Sequence, residues 1–333
     1  MPPVTPSRLR AAVLGHPVAH SLSPALHTAA GEALGLSTDY TRVDVPESEW
    51  EAFWAGARED GGWSGFSVTM PLKPLAARDA DRVTPLVEAL GVANTLSFTP
   101  QGSVADNTDV MGIMAALCAA GPVPEAPRAA VLGGGATAHA AVAALQALGA
   151  PAVDVAVRTA SRARSLDGVA GALGATVHVR PWSEAPELLR HADLVVSTLP
   201  PRAADDLARL WRATRPSVHG VLLDVAYDPW PSELAAAWQH AGGAIAPGVD
   251  MLIFQAVDQL RWFVGGGPHE ELPREACVTA AMCRAVGRPE RTVPERVRRA
   301  QERRGPSERA RRLHGVPRAG ELASAGARTS GST

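Results

Sequence analysis

The stretch Ala129-Ala130-Val131-Leu132-Gly133-Gly134-Gly135-Ala136-Thr137-Ala138-His139-Ala140 decides the fold. Its first four residues form a short apolar run suited to a buried strand, and the periodic apolar residues from Ala138 to Leu148 predict a helix. Between them, Gly133-x-Gly135-x-x-Ala138 keeps bulk away from the helix start, so a pyrophosphate can approach the backbone N–H groups and the positive end of the helix dipole. Outward from this loop, strands are expected over Ala152–Val157, Asp193–Thr198 and Val221–Val225, the succession of a nucleotide-binding α/β sheet. A long apolar helix near Met251–Val264 is expected to pack back against the N-terminal part of the chain.

The residues after Val157 bear on which dinucleotide the loop takes. NAD sites place a carboxylate at that strand end for the ribose hydroxyls, whereas here the sequence reads Arg158-Thr159-Ala160-Ser161-Arg162. Two guanidiniums and two hydroxyls suit a 2′-phosphate, so NADP is the expected cofactor. The rival is Asp154, at about the customary distance from the glycines but early in the strand.

N-terminal to the loop, strand and helix also alternate, with strands expected near Ala11–Leu14, Tyr40–Val45 and Gly65–Thr69 and helices over Pro24–Leu34 and Glu47–Ala57. Ser23 is a potential cap of the first helix. The breaker-rich segment Gly121-Pro122-Val123-Pro124-Glu125-Ala126-Pro127 separates an expected helix over Val110–Ala120 from the strand at Ala129. The expected class is α/β, as an open α/β substrate-binding sheet over residues 1–110, completed by a helical return over about 248–287, plus a doubly wound cofactor-binding domain over 111–247. Residues 288–333, rich in Arg, Glu, Pro, Gly and Ser, are expected to be a disordered tail.

Composition narrows the function. The 333 residues are 46% hydrophobic and 20% charged, with a net charge of −2 and an isoelectric point near 6.6, so no overall basic field holds nucleic acid or an anionic membrane. The most apolar stretch, Ala140–Val157, is broken by Gln146, Gly149, Pro151 and Asp154, and the run Ala11–Leu14 is far shorter than a signal-peptide core. Cys118, Cys277 and Cys283 lack the close paired spacing of a zinc site and suit buried thiols in a reducing cytosol. His16, His20 and His27 cluster, but Pro17 forbids one continuous helix through the first pair, so no metal is expected. A small-molecule substrate, a cytoplasmic location and a monomer or homodimer are the expectations.

Four ordered segments carry polar residues that a core would not choose: Gly15-His16-Pro17-Val18-Ala19-His20-Ser21-Leu22-Ser23-Pro24-Ala25-Leu26-His27, Gly65-Phe66-Ser67-Val68-Thr69-Met70-Pro71-Leu72-Lys73, Gly91-Val92-Ala93-Asn94-Thr95-Leu96, and Asp106-Asn107-Thr108-Asp109-Val110-Met111-Gly112. At these residues, and over about Ala11–Gly287, the sequence resembles the shikimate dehydrogenase family. The resemblance implies a substrate domain and a Rossmann domain with the active site between them. It also implies reversible NADPH-dependent reduction of 3-dehydroshikimate to shikimate, a step of aromatic amino-acid biosynthesis. A quinate or aminoshikimate dehydrogenase on the same scaffold, or a non-catalytic ligand sensor, is the alternative.

Carried over by motif, the resemblance makes Lys73 and Asp109 the catalytic pair. Hydride delivery to a ketone leaves an alkoxide that needs a proton, and a Lys ammonium oriented by Asp can supply it. Ser21 and Ser23 would bind the substrate carboxylate, and Thr69, Asn94, Tyr227 and Gln255 would contact the rest of the substrate, with Asn107 nearby. Gly133, Gly134, Gly135, Ala136, Arg158, Thr159 and Arg162, joined by Thr198 and the backbone of Gly248, would bind the cofactor. The match departs at Ser67, where many members have Asn, and at Asp250, where some have Gly.

Overall fold

The computed structural model describes residues 8–159, 163–265, 267 and 270–303. The chain builds two six-stranded sheets with helices on their faces, an α/β architecture. The first sheet takes β1 (Arg8–Gly15), β2 (Ser37–Asp44), β3 (Gly65–Val68), β4 (Arg82–Val83), β5 (Thr95–Thr99) and β6 (Gly102–Asp106), in the order β2-β1-β3-β5-β6-β4. Strand β5 runs antiparallel to both β3 and β6, and the remaining pairs are parallel. Side chains alternate across β1, as a strand requires. Leu9, Ala11 and Val13 face α1 (Ser23–Leu34), while Ala12 and Leu14 face Trp50 and Trp54 of α2 (Trp50–Asp60).

The second sheet is parallel throughout, ordered β12-β11-β10-β7-β8-β9 from β7 (Ala129–Leu132), β8 (Val153–Val157), β9 (Val177–Pro181), β10 (Leu194–Ser197), β11 (Val221–Asp224) and β12 (Ala244–Pro247). Helices cover both faces, which is why the central strands β7, β10 and β11 read as mainly apolar, while the edge strand β9 carries His178 and Arg180. Val131, Val155, Val196 and Leu223 enter one core and Leu132, Ala156, Val195 and Leu222 the other.

Two helices join the sheets. Helix α5 (Asp109–Ala120) leaves β6, and α11 (Gly248–Gly265) leaves β12 and returns over the first sheet, where Ile253, Ala256, Val257 and Leu260 pack with Leu9, Ala11 and Val13. The helices cross closely at Gly112, where a Cβ would stand 2.7 Å from the Met251 carbonyl and 2.9 Å from Gln255 Cβ. The expected return of the late helix is thus what the chain does.

Three expectations need correction. Ser23 is the first residue of α1 and makes no capping bond, because the chain enters the helix through Leu22 in a helical conformation and Pro24 fills the first turn. Cys277 is exposed and Cys118 half-buried, leaving Cys283 as the buried thiol. The tail is ordered over 288–303. Arg288 and Arg291 pair with the buried Asp250 at the start of α11, with contacts of 2.9 and 3.1 Å. Helix α13 (Glu295–Arg303) buries Val297, and Arg296 bonds the carbonyls of Val123, Pro124 and Leu148. Composition alone undervalued this segment, since a single buried valine and three arginines with defined partners hold it. Residues 304–333 lie outside the described residues.

Truncation after Gly287 leaves Asp250 buried without its arginines, at a cost of about 3–5 kcal/mol. The midpoint of thermal unfolding should fall by roughly 6–10 °C, and Asp250→Asn in the truncated chain should recover part of it. An unchanged midpoint would show that the segment contributes nothing.

Candidate active site

Strand ends and helix starts of both sheets converge on a cavity of about 220 Å³. Ser21, Ser23, Thr69, Lys73, Asn94, Asp109, Tyr227 and Gln255, each predicted as a catalytic or substrate residue, all line it. The loop after β1 carries Ser21 to one end, where Arg42 donates to the Ser21 carbonyl and fixes the turn. Thr69 stands just past β3, and Lys73 opens α3 (Lys73–Asp79). Asn94 precedes β5, and Asp109 opens α5. Val13, Val18, Val68 and Leu252 supply apolar wall, so polar groups are displayed in a poorly hydrated space.

Lys73 and Asp109 form the centre of the site. Lys73 Nζ lies 2.5 Å from Asp109 Oδ2, and the two side chains are only 10% and 7% exposed. Asn94 Nδ2 donates to Asp109 Oδ1 at 2.8 Å, so both carboxylate oxygens accept hydrogen bonds. Asn94 is itself held by the Thr108 N–H on its Oδ1 at 2.8 Å, and the Asp109 N–H is taken by Asn107 Oδ1 at 3.1 Å. Asn107 donates to the Val92 carbonyl at 3.0 Å and does not line the cavity, so it shapes the turn rather than the pocket. Gln255 Oε1 meets Asn94 Nδ2 and Thr108 Oγ1, each at 3.2 Å.

Three residues outside the predicted catalytic and substrate set also contribute, one of them, Ser67, at a position where the sequence departs from the family pattern. Thr137 Oγ1, from the first turn of α6 (Ala136–Ala147) in the second sheet, lies 3.4 Å from Lys73 Nζ and bridges the two halves. Ser67 and Gln259 also line the cavity. A threonine after a glycine loop and a glutamine one helical turn past Gln255 carry no signal of their own, because their roles depend on how the two sheets meet. Tyr227 lines the cavity as well, and burial pushes its phenol above the usual range.

The cofactor candidates lie at the carboxyl ends of the second sheet. Gly133 ends β7 with φ +106, and a Cβ there would stand 2.7 Å from Thr198 Oγ1, which donates to the Leu132 carbonyl just past β10. Gly134 and Gly135 lead into α6 at Ala136. The bare backbone cradle so formed fits a pyrophosphate. Arg158 and Thr159 are exposed immediately after β8. Arg158 lies over the Trp182 ring, 5.2 Å from its centroid, and reaches the Ala203 carbonyl. Asp154, the residue that would favour NAD, lies early in β8 and pairs with Arg180 at 2.8 Å, whereas Arg158 and Thr159 stand just past the strand's carboxyl end. Gly248 opens α11 against the Val225 carbonyl. Arg162 lies outside the described residues. Among the described residues no group of three or more His, Cys, Asp or Glu is placed to hold a metal, and no helix is long and apolar enough to cross a membrane.

Comparison with known proteins agrees with this geometry. A family model described as the shikimate dehydrogenase substrate binding domain matches residues 13–96, and one described as NADP oxidoreductase, coenzyme F420-dependent, matches residues 128–227. A shikimate dehydrogenase (NADP(+)) of Rubrobacter xylanophilus is 37% identical over 268 residues, covering 79% of this chain and 93% of that protein. One from Methylobacterium radiotolerans is 36% identical over 270 residues, covering 78% and 92%. Among solved structures, the shikimate dehydrogenase of Mycobacterium tuberculosis superposes with a TM-score of 0.70 at 39% identity, over 83% of this chain and 99% of that one. The Thermus thermophilus enzyme in complex with NADP(H) and shikimate does so with a TM-score of 0.68 at 32% identity, over 83% and 99%.

Behind the cavity, His27 stacks on Tyr40 with ring centroids 4.3 Å apart, and burial pushes its imidazole down to about 4, partly opposed by Gln259. The folded state therefore holds His27 neutral where the unfolded chain, with an ordinary value of 6.5, begins to take a proton. Stability from this residue is complete above about pH 6.5 and is lost as pH falls toward 4, by about 3 kcal/mol in all. A His27→Phe variant, which keeps the ring stack, should unfold with a shallower dependence on pH across that window. An unchanged slope in chemical denaturation would contradict this.

Proposed function

The chain belongs to the shikimate dehydrogenase family, and we propose that Lys73 and Asp109 handle the proton while residues along the cavity orient the substrate for hydride transfer. The protein is an NADP-dependent oxidoreductase acting on a secondary alcohol, interconverting 3-dehydroshikimate and shikimate in the route to aromatic amino acids. The observation that carries the reading is the buried Lys73–Asp109 pair in a cavity bordered by both sheets.

The polar groups divide by chemistry. Ser21 and Ser23 line the cavity with hydroxyl donors, suited to a carboxylate without a fixed countercharge. Lys73, Asn94, Asp109 and Gln255, joined to one another by hydrogen bonds, add the mixture of donors and acceptors that vicinal hydroxyls require. A substrate that carries both a carboxylate and ring hydroxyls matches that lining, to which Tyr227 adds its phenol.

When bound, NADPH would supply the hydride; the Gly133-Gly134-Gly135-Ala136 cradle would hold its pyrophosphate, Arg158 and Thr159 would hold its 2′-phosphate together with Arg162, which the family resemblance adds, and Thr198 and Gly248 would serve the nicotinamide. Both Asp109 oxygens already accept hydrogen bonds, one of them from an amide that can only donate. The transferable proton therefore resides on Lys73, whose ammonium stabilises the developing alkoxide and then protonates it. In the oxidative direction the neutral amine takes the proton back. Thr137 holds Lys73 from the cofactor side, so the ammonium is steadied from both sheets. We place residues 1–110 and about 248–287 in the substrate domain and 111–247 in the cofactor domain, and assign the protein to the cytoplasm.

Initial rates with shikimate and NADP should show turnover, and their absence would overturn the assigned reaction. Arg158→Ala should lower kcat/KM for NADP by about tenfold to a hundredfold, the worth of a charge-assisted contact, while leaving the value for NAD unchanged. Equal losses with both cofactors would remove the 2′-phosphate role from Arg158.

A further inference from the structure

The buried layer behind the cavity holds a row of side chains whose protons all point one way, and groups with a single hydrogen-bonding role fix the direction. Gln259 Nε2 lies 2.9 Å from the backbone carbonyl of Asn94, which can only accept. The amide nitrogen therefore faces Asn94, and Gln259 Oε1 faces away. That oxygen is 2.6 Å from Ser67 Oγ, so Ser67 gives its one proton to Gln259. Ser67 Oγ is then the acceptor for the Tyr40 hydroxyl, also at 2.6 Å.

The other end is fixed in the same manner. The Thr108 N–H can only donate, and it takes Asn94 Oδ1 at 2.8 Å, which turns Asn94 Nδ2 onto Asp109 Oδ1 at 2.8 Å. Thr95 closes the gap by accepting from Gln259 Nε2 at 3.2 Å and donating to Asn94 Oδ1 at 2.8 Å. Donation runs without reversal from Tyr40 through Ser67, Gln259, Thr95 and Asn94, and it ends on the Asp109 carboxylate. Every member is at least nine-tenths buried. Aligned hydrogen bonds polarise one another in such surroundings. His27, stacked on Tyr40 and held neutral by burial, places no charge beside the start of the row.

We propose that Ser67 and Gln259 are positioning residues, which act through Thr95 and Asn94 to keep the Asp109 carboxylate turned toward Lys73 as an acceptor. The proposal rests on the assignment of Lys73 and Asp109 given above. It also explains the serine at position 67, which lines the cavity yet has spent its only proton on Gln259 and has none to offer a substrate.

The test compares Ser67→Ala, Tyr40→Phe and the double variant, with Asp109→Ala measured beside them. Ser67→Ala breaks the row at its middle and should lower kcat about tenfold, with KM for NADP unchanged because the cofactor contacts lie on the other sheet. Once the row is broken, Tyr40 has nothing to transmit, so the double variant should turn over no more slowly than Ser67→Ala alone. A merely structural loss at two buried sites would instead compound. The proposal is overturned if kcat of Ser67→Ala stays within about twofold of the parent, or if the two single effects multiply. Full turnover by Asp109→Ala would sink the site assignment itself, whereas an inactive Asp109→Ala beside a fully active Ser67→Ala would sink the row alone.

Discussion

Burying an ammonium and a carboxylate together is costly unless every lone pair and proton finds a partner, and the Lys73–Asp109 pair imposes that condition on its surroundings. Asn94 occupies one carboxylate oxygen, Lys73 the other, and Thr137 approaches the ammonium from the second sheet. Each of these needs its own support. The Thr108 N–H orients Asn94, the β5–β6 hairpin sets Asn94 beside Asp109, and the close crossing of α5 and α11 at Gly112 brings Gln255 within reach of Asn94 and Thr108. The architecture of two sheets joined through α5 and α11 can be understood as what lets one charged pair face both a substrate cavity and a cofactor cradle.

The same logic distinguishes the two halves of the site. On the substrate side Lys73, Asn94, Asp109 and Gln255 are buried and bonded to one another, so specificity is built from fixed donors and acceptors. On the cofactor side Arg158 and Thr159 are exposed at a strand end, with Arg158 steadied by the Trp182 ring and a backbone carbonyl. An extended dinucleotide reaches such a surface without entering a closed pocket. Asp154 lies early in the same strand and pairs with Arg180.

Much of this was legible in the sequence because local pattern and local chemistry coincide. The run from Ala129 to Ala140 carries strand, cradle and helix start within twelve residues, and strand and helix alternate on either side of it. Most of the eight substrate and catalytic residues gather at one cavity because they sit at or near the ends of recognisable elements, while Gln255 reaches it from within α11. Thr137, Ser67 and Gln259 were not legible. Their partners lie 64, 27 and 165 positions away along the chain, to Lys73, Tyr40 and the Asn94 carbonyl, and no local pattern records such meetings. The segment over 288–303 was misread for a related reason. Its order comes from Asp250, the Leu148 carbonyl and the bed of Val297, none of which its own composition reveals.

The central claim is that the buried ammonium of Lys73 supplies the proton that accompanies hydride transfer. It is tested most directly by a single turnover of Lys73→Ala, following the loss of NADPH absorbance after mixing with 3-dehydroshikimate, with NADPH affinity measured on the same protein. The account predicts a chemical step slowed by about a hundredfold or more with cofactor affinity intact. A rate near that of the parent would contradict it.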